Sequence, residues 1–88
     1  MLDYYFQGQF RKDLKLAQKS RYDMDTIHDV IVKIIWQEPL PERCRPHALS
    51  GDLIGFTECH ALNDLLLMYL LDEERVTFSR IGTHSDLF

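Results

Sequence analysis

The spacing of apolar residues changes period along the chain, and each change marks an expected element. Residues 2–6 are short and aromatic and stop before Gly8, which predicts a first strand. Over residues 9–20, Phe10, Leu14 and Ala17 recur at helical spacing while Arg11, Lys12, Lys15 and Lys19 occupy the other faces. A second helix follows, capped by Asp23 or Asp25, with Ile27, Val30, Ile31, Ile34 and Ile35 on one stripe. Pro39 and Pro41 are expected to end it. Residues 39–52 then read as a polar loop carrying three prolines, Arg43, Arg45, His47 and Gly51. Beyond it the period shortens: residues 55–61 alternate, 65–71 are continuously apolar, and 75–81 alternate again after an acidic turn at 72–74. Helices first and hairpins after predict an α+β layer of order β-α-α-β-β-β, with a small, mainly antiparallel sheet and two helices on one face. The other face is left free for a site.

At 88 residues and 10.4 kDa the chain makes a single domain, residues 1–88, with 45% apolar and 27% charged residues. No apolar stretch approaches the roughly 20 residues of a membrane span, so no membrane partner is expected. The start lacks the basic segment and apolar run of a signal peptide, which makes the cytoplasm the expected location. Two cysteines, Cys44 and Cys59, are too few for a disulfide framework and lack metal-ligand spacing.

Four histidines invite chemical readings. His28 lies beside Asp29 on the second helix and reads as a solvated surface residue. His47 falls in the loop, His60 on a strand and His84 just past a strand end, places where sites are built. They occur singly, at separations of 13 and 24 residues, so no metal or other cofactor is expected. Alternation puts Phe56, Glu58 and His60 on one strand face and Thr57, Cys59 and Ala61 on the other. The second set suits packing against helices, which leaves Glu58 and His60 on the open face, as a working pair or as cross-strand polar partners. Cys59 is thereby directed away from the histidines, whereas Cys44 stands near His47. Tyr69 reads as packing. Arg80 shares parity with the apolar Val76 and Phe78, so it must reach a carboxylate or a phosphate, or a bulge must turn it outward. Phe88 either covers the core or offers a ring to a base.

These residues form a recognisable set. His47-Ala48-Leu49-Ser50-Gly51, Phe56-Thr57-Glu58-Cys59-His60, Asp64-Leu65-Leu66-Leu67-Met68-Tyr69 and the run from Arg80 to Phe88, with the basic Gln9-Phe10-Arg11-Lys12-Asp13-Leu14-Lys15 helix, resemble the YafQ-type toxins. These are a branch of the RelE/ParE superfamily of bacterial toxin–antitoxin systems. The resemblance implies a RelE-like fold and an mRNA interferase that cuts message in the ribosomal A site. It also implies silencing by a RelB/DinJ-type antitoxin, with promoter DNA met only through the antitoxin complex. His47, His60, Asp64, His84 and Phe88 match the family's active-site positions. Glu58 stands where some relatives have aspartate, and Arg80 matches the arginine that meets the phosphate. Thr57, Asn63 and Leu65 depart from the usual arginine, proline and tryptophan. The chemistry suits the residues: RNA is cut by its own 2′-hydroxyl when a base, an acid and positive charge converge. On this reading His84 protonates the leaving oxygen, and His47 or Asp64, with His60, accepts the 2′-proton. The alternative is a catalytically silent relative that pairs with an antitoxin and regulates its own operon.

The net charge of −4 argues at first against an RNA partner. Divided along the chain, it conceals a net of +3 over residues 1–22 and −4 over residues 23–42. The basic first helix, through Lys12 and Lys15, with Arg43 and Arg45, is therefore expected to meet ribosomal RNA phosphate.

Overall fold

The computed structural model describes residues 1–88. The chain runs through β1 (Asp3–Phe6), α1 (Gly8–Lys19), α2 (Met24–Ile35), β2 (His47–Ala48), β3 (Phe56–Leu62), β4 (Leu65–Leu71), β5 (Arg75–Gly82) and α3 (His84–Leu87), with 3-10 turns at Glu42–Cys44 and Gly51–Leu53. The five strands lie in the order β1-β5-β4-β3-β2, antiparallel except for β1 against β5. The expected α+β architecture is present, extended by the two-residue β2 and the one-turn α3. Both fall in segments read as loop and tail, because neither is long enough to establish a period.

Asp23 caps α2 by accepting from the Thr26 amide at 3.1 Å, and Ile27, Val30, Ile31, Ile34 and Ile35 are all buried. The end of α2 differs from expectation. It closes at Trp36 with Gln37 left-handed at φ 57°, and the Glu38 amide returns to the Lys33 carbonyl at 2.9 Å, so the stop precedes Pro39. The same closure ends α1, with Arg21 at φ 63° and the Tyr22 amide on the Ala17 carbonyl. Its left-handed residue turns the chain directly into α2.

The core lies between the helices and one sheet face. Phe10 from α1 and Ile27 and Val30 from α2 meet Cys59, Ala61, Leu67, Tyr69, Val76, Phe78 and Ile81. Thr57, Cys59 and Ala61 thus take the helix side as their alternation predicts. Phe6, Phe10 and Phe78 form a ring cluster with centroids 5.1 to 5.5 Å apart. Neither α1 nor α2 covers the opposite face, and only the one-turn α3 packs there, over Gly82. On it Leu66 and Met68 are buried outside the main cluster, as an apolar floor.

Two irregularities set the direction of functional side chains. The β4–β5 register shifts between Met68 and Tyr69, which pair with Arg80 and Phe78 and leave Ser79 over. This bulge lets Phe78 and Ile81 both face the helices while Arg80 falls opposite Met68. His47, Glu58, Met68 and Arg80 consequently make one row across β2 to β5, and His60, Leu66 and Gly82 make the next. The second shift lies between His60 and Leu62, beside the Asn63-Asp64 turn.

A candidate active site on the uncovered sheet face

Each end of the sheet delivers one part of the site. β2 pairs with β3 in a register that sets His47 against Glu58, and the His47 Nε2 lies 3.4 Å from Glu58 Oε1. The other ring nitrogen, Nδ1, is 3.1 Å from the Arg45 carbonyl. His47 is therefore on a short strand, where the sequence predicts loop, and it is the cross-strand partner of Glu58. The expected pairing of Glu58 with His60 is replaced by this contact. His60 remains beside them, two residues along the same strand.

The two-residue turn Asn63-Asp64 between β3 and β4 puts Asp64 at the tip of a hairpin. At the far end, α3 begins immediately after β5. Thr83 caps it by accepting from the Asp86 amide at 3.2 Å, and Asp86 Oδ2 accepts from the Thr83 amide at 3.0 Å. Hydrogen bonding from the Thr83 amide first, and then from the Thr83 side chain, holds the Asp86 carboxyl below its ordinary value. One turn on, the Phe88 ring packs against the His84 ring at 5.1 Å and 38°, and Phe88 stays 52% exposed. It packs against a site residue instead of covering the core, and one ring face remains for a ligand.

Glu58, His60, Asn63, Asp64, Leu66 and His84 together line a depression of about 160 Å³. A second hollow of about 360 Å³, lined by Arg43, Arg45, His60 and Asn63, adjoins it through the shared His60 and Asn63. The result is a groove with two arginines at one end and a histidine pair and two carboxylates at the other, the Phe88 ring packing on one of those histidines. Its least usual atom is Glu58 Oε2, a buried carboxylate oxygen without a hydrogen-bond partner. Burying such an acceptor unpaired is costly, so it marks a place where a donor is missing. No group of three or more His, Cys, Asp or Glu side chains is arranged to hold a metal ion.

Not every expected residue joins this groove. Arg80 lines a separate cavity of about 390 Å³ on the α1 flank, with Asp13, Tyr22 and Asp86. Both sequence alternatives are realised: the bulge turns it, and its Nε donates to Asp13 Oδ2 at 2.8 Å. That bond raises the guanidinium above its ordinary value. Lys12 and Lys15 are exposed on α1, in the helix layer, and line neither hollow. Arg43 donates from Nη1 to the Ala61 carbonyl at 3.0 Å, which ties the arginine end of the groove to β3. Cys44 and Cys59 are both fully buried free thiols, and burial pushes Cys59 up to about 12. Neither serves as a nucleophile. Tyr69 is core, as expected.

Two residues escape the reading of the sequence. Asp13 sits with Phe10, Leu14 and Ala17 on the buried stripe of α1, and a charge there needs a partner. Paired with the parity of Arg80, it offered a signal that each misplaced charge answers the other. Tyr22 gave no such signal. Burial first, then the Asp64 and Asp86 carboxylates, raise its phenol, which places it between the groove and the Arg80 cavity.

Comparison with known proteins accords with this arrangement. The sequence profile of a family described as a bacterial toxin of type II toxin–antitoxin system, YafQ, matches residues 2–88. The mRNA interferase toxin YafQ of Escherichia coli strain K12 is 37% identical over 87 residues, covering 98% of this chain and 95% of that protein. The crystal structure of YafQ from E. coli strain BL21(DE3) matches with a TM-score of 0.94 at 35% identity, covering 100% of this chain and 99% of that one. A chain of the E. coli DinJ–YafQ complex matches at 0.92 and 36% identity, with the same coverage. With the family profile spanning residues 2–88 and a curated relative 37% identical over 98% of the chain, the chain belongs to the YafQ toxin family of type II toxin–antitoxin systems.

Proposed function

We propose that this toxin is an endoribonuclease that cleaves messenger RNA on the ribosome and is silenced by a DinJ-type antitoxin. The observation that carries the reading is the depression lined by Glu58, His60, Asp64 and His84, which gathers two histidines and two carboxylates on one sheet face. A 2′-hydroxyl entering it comes against His60 and Asp64. Its proton passes to the His60–Asp64 side, and the freed oxygen attacks the adjacent phosphorus. The 5′-oxygen leaves with a proton from His84. The products are a 2′,3′-cyclic phosphate and a 5′-hydroxyl, and the step needs proton carriers of the histidine and carboxylate type. His47, held between Glu58 and the Arg45 carbonyl, supports the carboxylate from outside the depression.

Positive charge enters from two sides. Arg43 and Arg45 track the phosphates along the groove, and Arg80 reaches the reacting phosphate from the α1 flank. Phe88 stacks on a base beside the cut. Lys12 and Lys15 lie away from the cut, where they meet ribosomal RNA phosphate. The test is induction of the chain in growing bacteria with message ends mapped by primer extension. Wild type should give codon-aligned ends and His84→Ala none. Growth arrest without such ends would favour an antitoxin-binding regulator.

A further inference from the structure

Arg80 emerges where β5 has lost its neighbour. β1 pairs with β5 only through Phe78, after which the chain leaves as α1, so the outer edge of residues 79–82 lacks a strand partner. Asp13 of α1 fills the vacancy. Its Oδ2 accepts from the Ile81 amide at 3.1 Å, as a strand carbonyl would, and from Arg80 Nε at 2.8 Å. Its Oδ1 accepts from Gln9 Nε2 at 3.0 Å and from Arg80 Nη2 at 3.4 Å. The carboxylate is buried, and the bulge at Ser79 is fixed from the other side by the Ser79 hydroxyl on Gln7 Oε1 at 2.8 Å. Both the strand and the carboxylate are therefore immobilised before any substrate arrives.

This geometry grips the guanidinium side-on. Two of its five N–H donors are used, and Nη1 with the remaining Nη2 proton is left free on a side chain that is 31% exposed. A neutralising carboxylate weakens the attraction of an arginine for phosphate, so Asp13 contributes nothing to raw charge. Its contribution is direction: a long, mobile side chain is held in one orientation with one edge presented.

We infer that Asp13 is a positioning residue for the cleavage step, acting through Arg80 by fixing which guanidinium edge meets the reacting phosphate. The inference rests on the nuclease reading above. Asp13→Asn keeps the shape but replaces one acceptor by a donor, so the two-point grip cannot form. In single-turnover cleavage of ribosome-bound message, the rate constant should fall about tenfold to a hundredfold, the scale of loss for a misdirected catalytic group. Ribosome affinity should stay unchanged. In an Arg80→Ala background the same substitution should have no further effect, the non-additivity of two residues that act as one. Arg80→Lys retains the charge and loses the fork, and should be as slow as Arg80→Ala.

A purely structural Asp13 predicts otherwise. Cleavage would then fall only in proportion to the folded fraction seen by circular dichroism, equally with and without Arg80. That result overturns the inference, as does an Arg80→Lys protein of wild-type rate should Asp13→Asn fail to fold. If the wild-type chain does not cleave ribosome-bound message at all, it is the nuclease reading that fails.

Discussion

Replacing Thr83 by alanine should slow the enzyme without unfolding it. α3 is one turn long, and its backbone bonds are those of Asp86 and Leu87 to the Thr83 carbonyl, at 3.0 and 3.2 Å, and of Phe88 to His84, at 3.0 Å. An isolated turn is unfavourable to nucleate, so α3 stands close to balance and depends on its cap. Loss of a threonine cap costs about 1 kcal/mol, which lowers the ratio of ordered to frayed turn by roughly fivefold and, from near balance, the ordered fraction by roughly threefold. His84 opens that turn and Phe88 closes it, so both lose their place when it frays. The core around Phe10 and Phe78 lies elsewhere and should be unaffected. The expected result is a roughly threefold lower cleavage rate with Tm within about 2 °C of wild type. An unchanged rate would refute the claim that α3 order places His84, and a large fall in Tm would show the cap to be a global element.

The same turn has a pH signature. The Asp86 carboxyl is held below its ordinary 3.8, so its stabilising bonds are present above about pH 4 and are lost as pH falls through the lowered folded value. The Phe88 amide should therefore shift in NMR spectra on acidification, and Asp86→Asn should abolish that titration.

Three further outcomes follow from packing. Gly82→Ala would bring a Cβ to 3.0 Å from the Asp86 Cβ and 3.2 Å from its Oδ2, so α3 must move; cleavage should fall while urea unfolding changes little. Phe10→Ala removes a fully buried ring from the aromatic cluster and should destabilise the domain by about 3–5 kcal/mol in urea titration, a large share of a small domain's stability. Cys44 and Cys59 should resist a thiol reagent at pH 8 in the native state and react on unfolding, because both are buried and the Cys59 thiol is pushed up to about 12.

Much of this architecture is written in period and parity. The isoleucine stripe locates α2, and the alternation from Phe56 to Ala61 separates the core-facing Cys59 from the site-facing Glu58 and His60. Where elements are shorter than a period, no such signal exists. β2 has two residues and is defined only by its pairing, so the partnership of His47 with Glu58 is invisible before the sheet forms. α3 is different in kind, since Thr83 and Asp86 have the spacing of a capping box, a local signal that periodicity does not detect. The Arg80 environment needs both ends of the chain at once. Parity exposes one charge on an apolar strand face and another on the buried stripe of α1, and packing joins Arg80 to Asp13, 67 positions earlier. Asp64 acquires meaning by the hairpin that sets it beside His60, and from the sequence it rests on family resemblance alone.

The proposed reaction is attack by the message's own 2′-hydroxyl in the depression lined by Glu58, His60, Asp64 and His84. The direct measurement is cleavage of ribosome-bound message carrying a single 2′-deoxy substitution at the nucleotide 5′ to the mapped cut. No cleavage is expected at that position and, on unmodified message, fragments should end in a 2′,3′-cyclic phosphate. Cleavage of the deoxy-substituted message at the unmodified rate would contradict the proposed reaction.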